Sequence, residues 1–206
     1  TADNDPQLIL TSTDADASSG PNILLKRDSA SPADNDTVGR VKFVFDNDAG
    51  EETEAVRIDA FIPDVSDGTE DATFQELTMV GGTMRSRVEH SSTETVFNQD
   101  SVDIDFRVEG NGDTHALFVQ GSDDKVGINN SSPVEMLTIG TTSDAASRIQ
   151  FLGATDGVNT IHFGDGTSAD AYRGYINYAH DTDSLQFATA SAERMRIHSG
   201  GQVGIG

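Results

Sequence analysis

Only 35% of the 206 residues are hydrophobic, tryptophan is absent and 20 residues are glycine; that supply is thin for one globular core, so modules that complete their cores against copies of themselves are expected. Lys and Arg number 13 against 35 Asp and Glu, a net charge of −22 that excludes a phosphate-binding surface for nucleic acid or an anionic membrane. Without cysteine there are no disulfides or thiolate metal sites, no apolar run reaches the roughly 18 residues of a membrane-spanning helix, and the opening TADNDPQ lacks the basic and apolar parts of a signal peptide.

Along the chain, apolar and polar residues alternate with period two, the mark of half-buried strands. In order, the predicted strands are RVKFVFD, AVRIDAFI, SVDIDFRVEG, MLTIG, RIQFLG, TIHFGDG, GYINYAH, SLQFAT and RMRIHS. In SVDIDFRVEG, Val102, Ile104, Phe106 and Val108 share one face, with Asp103, Asp105, Arg107 and Glu109 on the other. Turn chemistry separates the strands: DNDAG, SDGTED, GNGD, GSDD, GDGTS and HSGG. No segment sustains the helical spacing beyond about two turns; DAASRIQFL comes nearest, and its second half reads better as a strand. The expected class is all-β.

An internal repeat sets the organisation. LILTSTDADASSGPNILLKRD resembles LTIGTTSDAASRIQFLGATD, and residues 39–90 have the same order of pieces as residues 159–199. Phe43 then matches Phe163, Arg57 matches Arg173, and Met84 and Arg85 match Met195 and Arg196. The expected modules are 1–100, a bridge with a junction at 101–136, a second module at 137–200 that repeats the first, and the start of a further junction at 201–206. Each junction has the form x-V-G-I: Val126, Gly127 and Ile128, then Val203, Gly204 and Ile205. A glycine inside a strand marks a bend or close backbone approach. In a fibre this is where chains press together at an axis; the plainer alternative is a short edge strand beside a turn.

AERMRIHSGGQVGIG and DDKVGINNSSPVEMLTIG are similar to the repeat that precedes the C-terminal intramolecular chaperone domain of many bacteriophage tail fibre proteins, E-R-M-R-I-x-x-x-G-x-V-G-I-G-T-x-x-P. Glu193, Arg194, Met195, Arg196, Ile197, Gly201, Val203, Gly204, Ile205 and Gly206 carry the later match, and Val126, Gly127, Ile128 and Pro133 the earlier one. The segment PNILLKRDSASPADNDTVGRVKF also resembles tail fibres of marine phages. The resemblance covers most of the chain and implies an elongated homotrimeric fibre of short-strand β modules joined by narrow glycine-containing junctions. It further implies a chaperone domain, often cleaved off, following the joint on which this sequence stops; a longer parent chain is expected. Three chains would carry three times −22, or −66, a repulsion that seawater-like salt screens within about 4–5 Å.

No nucleophile elbow, P-loop or H-E-x-x-H motif is present, and carboxylates are too numerous for their count to argue glycoside hydrolysis. The expectation is a protein that is not an enzyme and holds no cofactor or metal. Asp46, Asp48 and Glu51, and Asp181 with Asp183, are oxygen clusters of a kind that suits Ca²⁺, but such residues also build hairpin turns. His162 in TIHFG would face the axis of a trimer or, more ordinarily, be exposed or hydrogen-bonded. Arg57, Arg85, Arg173 and Arg196 are read as ion pairs that hold register, because the repeat carries matching arginines. The functional alternative makes Arg173, Arg194 and Arg196 contacts for a host glycan or receptor, together with Tyr172, Tyr175 and Tyr178. The expected function is a structural subunit of a virion fibre supporting host attachment, outside the cell, with itself, other virion proteins and a host-surface glycan or receptor as partners. A bacterial surface filament or adhesin, and a polysaccharide-cleaving tail protein, are the alternatives.

Overall fold

A computed structural model describes residues 6–17 and 20–206; residues 1–5 and 18–19, part of the module expected at 1–100, lie outside the described residues. Among the described residues there is no α-helix, only a 3₁₀ turn at Ser168–Tyr172, and nearly all regular structure is β. The chain divides into two units, Thr1–Ser143 and Asp144–Gly206.

The first unit contains an antiparallel meander of five strands, β1 (Asp36–Asp46), β2 (Glu52–Asp64), β3 (Asp71–Val80), β4 (Thr83–His90) and β5 (Thr95–Phe97), each paired with its sequence neighbour. Its turns follow from turn chemistry. Asn47 accepts the amides of Ala49 and Glu51 at 3.0 and 2.9 Å through its side chain, and Gly50 takes the left-handed conformation, φ 77°. Between β3 and β4 a two-residue turn needs positive φ twice, and Gly81 and Gly82 supply it.

A smaller sheet follows in the same unit: β6 (Phe106–Val108), β7 (Leu117–Gln120), β8 (Lys125–Ile128) and β9 (Leu137–Ile139), in that order, with β8 and β9 parallel. Leu137–Ile139, read from sequence as the opening of the second module, is thus hydrogen-bonded to the junction strand before it. SVDIDFRV forms a ladder only from Phe106. Upstream of it Ile104 donates to Val102 O at 2.7 Å, a tight local turn, and the Ile104 backbone presses on Gly121, where a Cβ would lie 2.6 Å away. The side chains of Val102, Ile104 and Phe106 are nonetheless the less exposed ones, as the alternation requires.

The second unit is another five-stranded antiparallel meander: β10 (Val158–Phe163), β11 (Gly174–Ala179), β12 (Ser184–Thr189), β13 (Ala192–Ile197) and β14 (Val203–Ile205). RIQFLG, expected as a strand, is extended but joins no ladder, like NILLKRD in the first unit. Each segment leans on its own sheet. Leu25 packs on Gly39, whose Cβ would sit 3.0 Å from that of Leu25, and the Phe151 carbonyl accepts from Asn159 Nδ2 at 2.9 Å.

The two meanders can be superposed through their irregularities. Both carry a bulge on the fourth strand: Glu76 pairs with Val88 and Leu77 with Ser86, leaving Arg87 extra, while Phe187 pairs with Met195 and Ala188 with Glu193, leaving Arg194 extra. Following the ladders outward equates Leu77 with Ala188, Arg57 with Tyr175, Phe43 with Phe163 and Gly39 with Asn159. The Phe43–Phe163 match of the sequences is reproduced. The arginine matches are not, because Arg173 sits in the 3₁₀ loop ahead of β11 and Glu89 is the register equivalent of Arg196.

Candidate association surfaces

Side chains directly opposite in a ladder share a face, so the register divides each sheet into rows. One face is polar. In the first meander the row is Arg40, Asp59, Gln75 and Glu89, ending on Val96; in the second it is Thr160, Asn177, Gln186 and Arg196, ending on Gly204. Asp59, only 4% exposed, takes Arg40 Nε at 2.7 Å and lies 2.8 Å from Arg57 Nε. Glu54 bonds Lys42 Nζ at 2.6 Å and Arg57 Nη1 at 3.1 Å. The hydrogen bond from Lys42, with the Arg57 charge nearby, holds the Glu54 carboxyl below its ordinary value. Gln75 donates to Glu89 across the next strand pair.

The second row is held by amides. Arg196 can only donate, so Gln186 turns its oxygen to the guanidinium, at 2.7 and 3.0 Å, and its nitrogen lies 3.0 Å from the Asn177 amide. Thr160 Oγ1 is 3.1 Å from Asn177 Oδ1 at the far end. Glu193 binds Arg196 at 2.6 Å, which lowers the Glu193 pKa and raises that of Arg196.

The opposite face of the second meander is apolar and open, and that of the first is mixed, with Glu76, Arg85 and His90 among its apolar residues. In the second meander Ile161, Ile176, Phe187, Met195 and Ile205 form one row across all five strands, flanked by Asn159, Tyr178, Leu185, Ile197 and Val203. None of these ten residues is charged. The equivalent row of the first meander is Val41, Ile58, Glu76, Val88 and Phe97. Exposure is high for residues of this kind: Val41 43%, Phe43 55%, Phe97 54%, Ile161 44% and Ile205 84%. Among the described residues the buried hydrophobic side chains are Leu77, Phe118, Ala179 and Ala188, fewer than the buried polar ones, Asp59, Thr73, Ser86, Ser184 and Gln186.

The two V-G-I segments occupy different settings. Gly127 lies opposite Phe118 in the middle of its sheet, and a Cβ there would stand 2.2 Å from the Asn130 carbonyl of the same chain. Gly204 lies opposite Arg196 on the last strand of its sheet, where a Cβ would meet nothing nearer than His198 Nε2 at 3.8 Å. Val203 and Ile205 present 53% and 84% of their surface to solvent. In the register of the meander β14 also takes the place of β5, so the second copy merges last strand and junction, while the first keeps them apart.

The four arginines expected to hold register all have carboxylate neighbours. Arg57 contacts Glu54 and Asp59 on its own strand; Arg85 lies 3.9 Å from Asp100; Arg173 lies 3.5 and 3.2 Å from Asp165 and Asp170 of the 3₁₀ loop; Arg196 binds Glu193. The three tyrosines do not converge. Tyr175 shares a row with His162 on the polar face, Tyr172 meets the His162 ring edge-on at 4.8 Å, and Tyr178 lies on the apolar face, donating to Asp183 at 3.1 Å. That bond to Asp183 raises the Tyr178 pKa. At the acidic turns Glu51 accepts from Asn47 Nδ2 at 3.0 Å, and among the described residues no group of three His, Asp or Glu side chains is disposed to hold a metal ion. Sequence reading passed over Asp59, Gln75, Asn177 and Gln186; their signal, polar residues in phase on adjacent strands, needs the register to be seen. The sequence matches no family model and no curated protein.

Proposed function

We propose that this chain is a structural subunit of a virion fibre, a tail or capsid fibre shaft that supports host attachment as a homotrimer. The observation that carries the reading is the inverted placement of side chains: Asp59 and Gln186, at the centre of the polar rows, are buried, while the apolar rows, uncharged in the second meander and interrupted by Glu76 in the first, stand open. An open apolar row is stable when another surface covers it. In a chain of net charge −22, the uncharged face of the second meander is where like copies approach at least electrostatic cost. The resemblance of the E-R-M-R-I and V-G-I segments to tail fibre repeats supplies the trimer and the virion. In this reading residues 23–25 and 149–152, with Leu24 and Leu152 at 83% and 84% exposure, are covered by neighbouring copies, and the V-G-I segments are junctions between modules.

The test is native mass by light scattering at high salt. A value near three times 21.9 kDa supports the fibre, and Phe187→Asp then reduces it toward a single chain. A monomer that unfolds cooperatively would sink the reading, since it would show that the open rows need no cover.

A further inference from the structure

We propose that His180 is a pH-sensitive latch: as a neutral imidazole it ties the extended segment at 149–153 to the second meander, and on taking up a proton it releases that segment. The latch is centred on Asn159 of β10. Its Nδ2 donates one hydrogen to the Phe151 carbonyl at 2.9 Å and the other to His180 Nε2 at 3.1 Å. The Phe151 carbonyl can only accept, so it fixes which way the Asn159 amide points. The amide nitrogen can only donate, so it fixes Nε2 as an acceptor and leaves the ring hydrogen on Nδ1. The segment lies flush on the same amide, because a Cβ at Gly153 would stand 2.8 Å from Asn159 Oδ1. His180 is itself anchored: its backbone amide donates to the Gly157 carbonyl at 2.9 Å, and its ring meets that of Tyr178 edge-on at 5.0 Å.

A proton on Nε2 breaks the arrangement from one end. It sets a second donor 3.1 Å from Nδ2, and Asn159 cannot answer by turning its oxygen to the ring, since that oxygen would then face the Phe151 carbonyl. The closed latch therefore binds the neutral ring in preference to the imidazolium, and a proton, like any ligand that favours one state, shifts the population toward the open one. The closed segment is present above the range near about 6.5 in which imidazole titrates and is lost as the pH falls through it. The residues lining the cavity beside the ring, Phe151, Ile161, Tyr178 and Leu185 among them, are uncharged. The charged groups of the adjoining elements are Arg148 ahead of the segment, Asp156 ahead of β10, and Asp181 and Asp183 in the turn that His180 opens. Asp183 accepts from Tyr178, and neither turn aspartate belongs to a group disposed to hold a metal ion among the described residues, so the turn offers a released imidazolium two carboxylates. The counterpart segment of the first meander is held differently. Arg27 Nη2 lies 2.8 Å from Asp36 and Nη1 donates to the Thr37 carbonyl at 3.1 Å, an ion pair in place of an imidazole acceptor, so the switch belongs to the second unit alone.

The chain contains no tryptophan, so Phe151→Trp puts a single indole on the latched segment and Leu25→Trp puts one on its counterpart. Between pH 7.5 and 5.5, acrylamide quenching should rise at least about twofold in Phe151→Trp, with a midpoint in the imidazole range, and stay level in Leu25→Trp. Adding His180→Gln, which keeps an acceptor for Asn159 at every pH, should abolish the rise. A rise that survives His180→Gln, or an equal rise in Leu25→Trp, overturns the proposal. The deciding readout needs no indole: the Asn159 side-chain amide resonances of the ¹⁵N-labelled chain, assigned by their loss in Asn159→Ala, should titrate over the same range and stop doing so in His180→Gln. Resonances that stay fixed between pH 7.5 and 5.5 overturn the latch whatever the quenching shows. Both readouts concern one unit of one chain and hold at any native mass, so failure here leaves the fibre reading to its own test.

Discussion

One tripeptide, V-G-I, is used twice, each time on the second strand of a hairpin, with opposite surroundings. Around Gly127 the chain closes over the strand: β9 pairs on one side and the Asn130 carbonyl fills the space a side chain would need. Around Gly204 that space is open and the strand is an edge. A glycine in a strand is therefore not one feature. It is obligatory where backbone crosses it and permissive where it waits beside nothing. The meanders differ in parallel fashion, with a row closed by ions in the first unit and by amides in the second.

The widest gap between the copies is expected from Gly127→Ala against Gly204→Ala. The first forces backbone apart and should cost about 3 kcal/mol, while the second should stay within about 0.5 kcal/mol; denaturant unfolding followed by circular dichroism measures both. Similar losses at the two sites would erase the distinction between interior and edge. Next comes Asp59→Ala, which leaves Arg40 and Arg57 without their shared carboxylate. Since Arg40 is 41% exposed, water offsets part of the loss, and about 2 kcal/mol is expected against about 1 kcal/mol for Asn177→Ala. If the amide row proves the costlier one to break, the ionic row is not what ties β1 to β2.

A smaller and opposite effect is expected at the hairpins. Gly81 and Gly82 adopt positive φ freely, but the equivalent turn of the second meander puts Ala190 and Ser191 at φ 51° and 59°. Replacing them with Asn and Gly should stabilise the second unit by about 1 kcal/mol, and Gly81→Ala should destabilise the first by about as much. A rise in melting temperature confined to the second unit checks this. The smallest effect is in pH. Glu54 and Glu193 are held below the ordinary glutamate value of 4.5 by Lys42 and Arg196. The folded chain binds fewer protons there than the unfolded one, so their contribution is present above pH 4.5 and is lost as pH falls through the lowered values. Glu54→Gln should flatten the acid limb of the melting temperature for the first unit and Glu193→Gln that for the second; an unchanged limb in either variant would dismiss that glutamate as its source.

Composition and period-two patterning determined the all-β class, most strand positions and the turns. Those are local properties, set by which side chains face each way and which residues tolerate a turn. Val102, Ile104 and Phe106 show the limit of the pattern, since their alternation predicts the face they turn to but not whether a ladder forms. Only the tertiary structure decided the register, and register is a relation between strands distant in sequence. It equated Arg87 with Arg194 through a shared bulge, assembled Asn177, Gln186 and Arg196 into one row, and made Gly127 an interior position and Gly204 an edge. A side chain's neighbours across a sheet are chosen by hydrogen-bonded pairing, and a one-residue bulge, invisible in a linear sequence, is enough to change them.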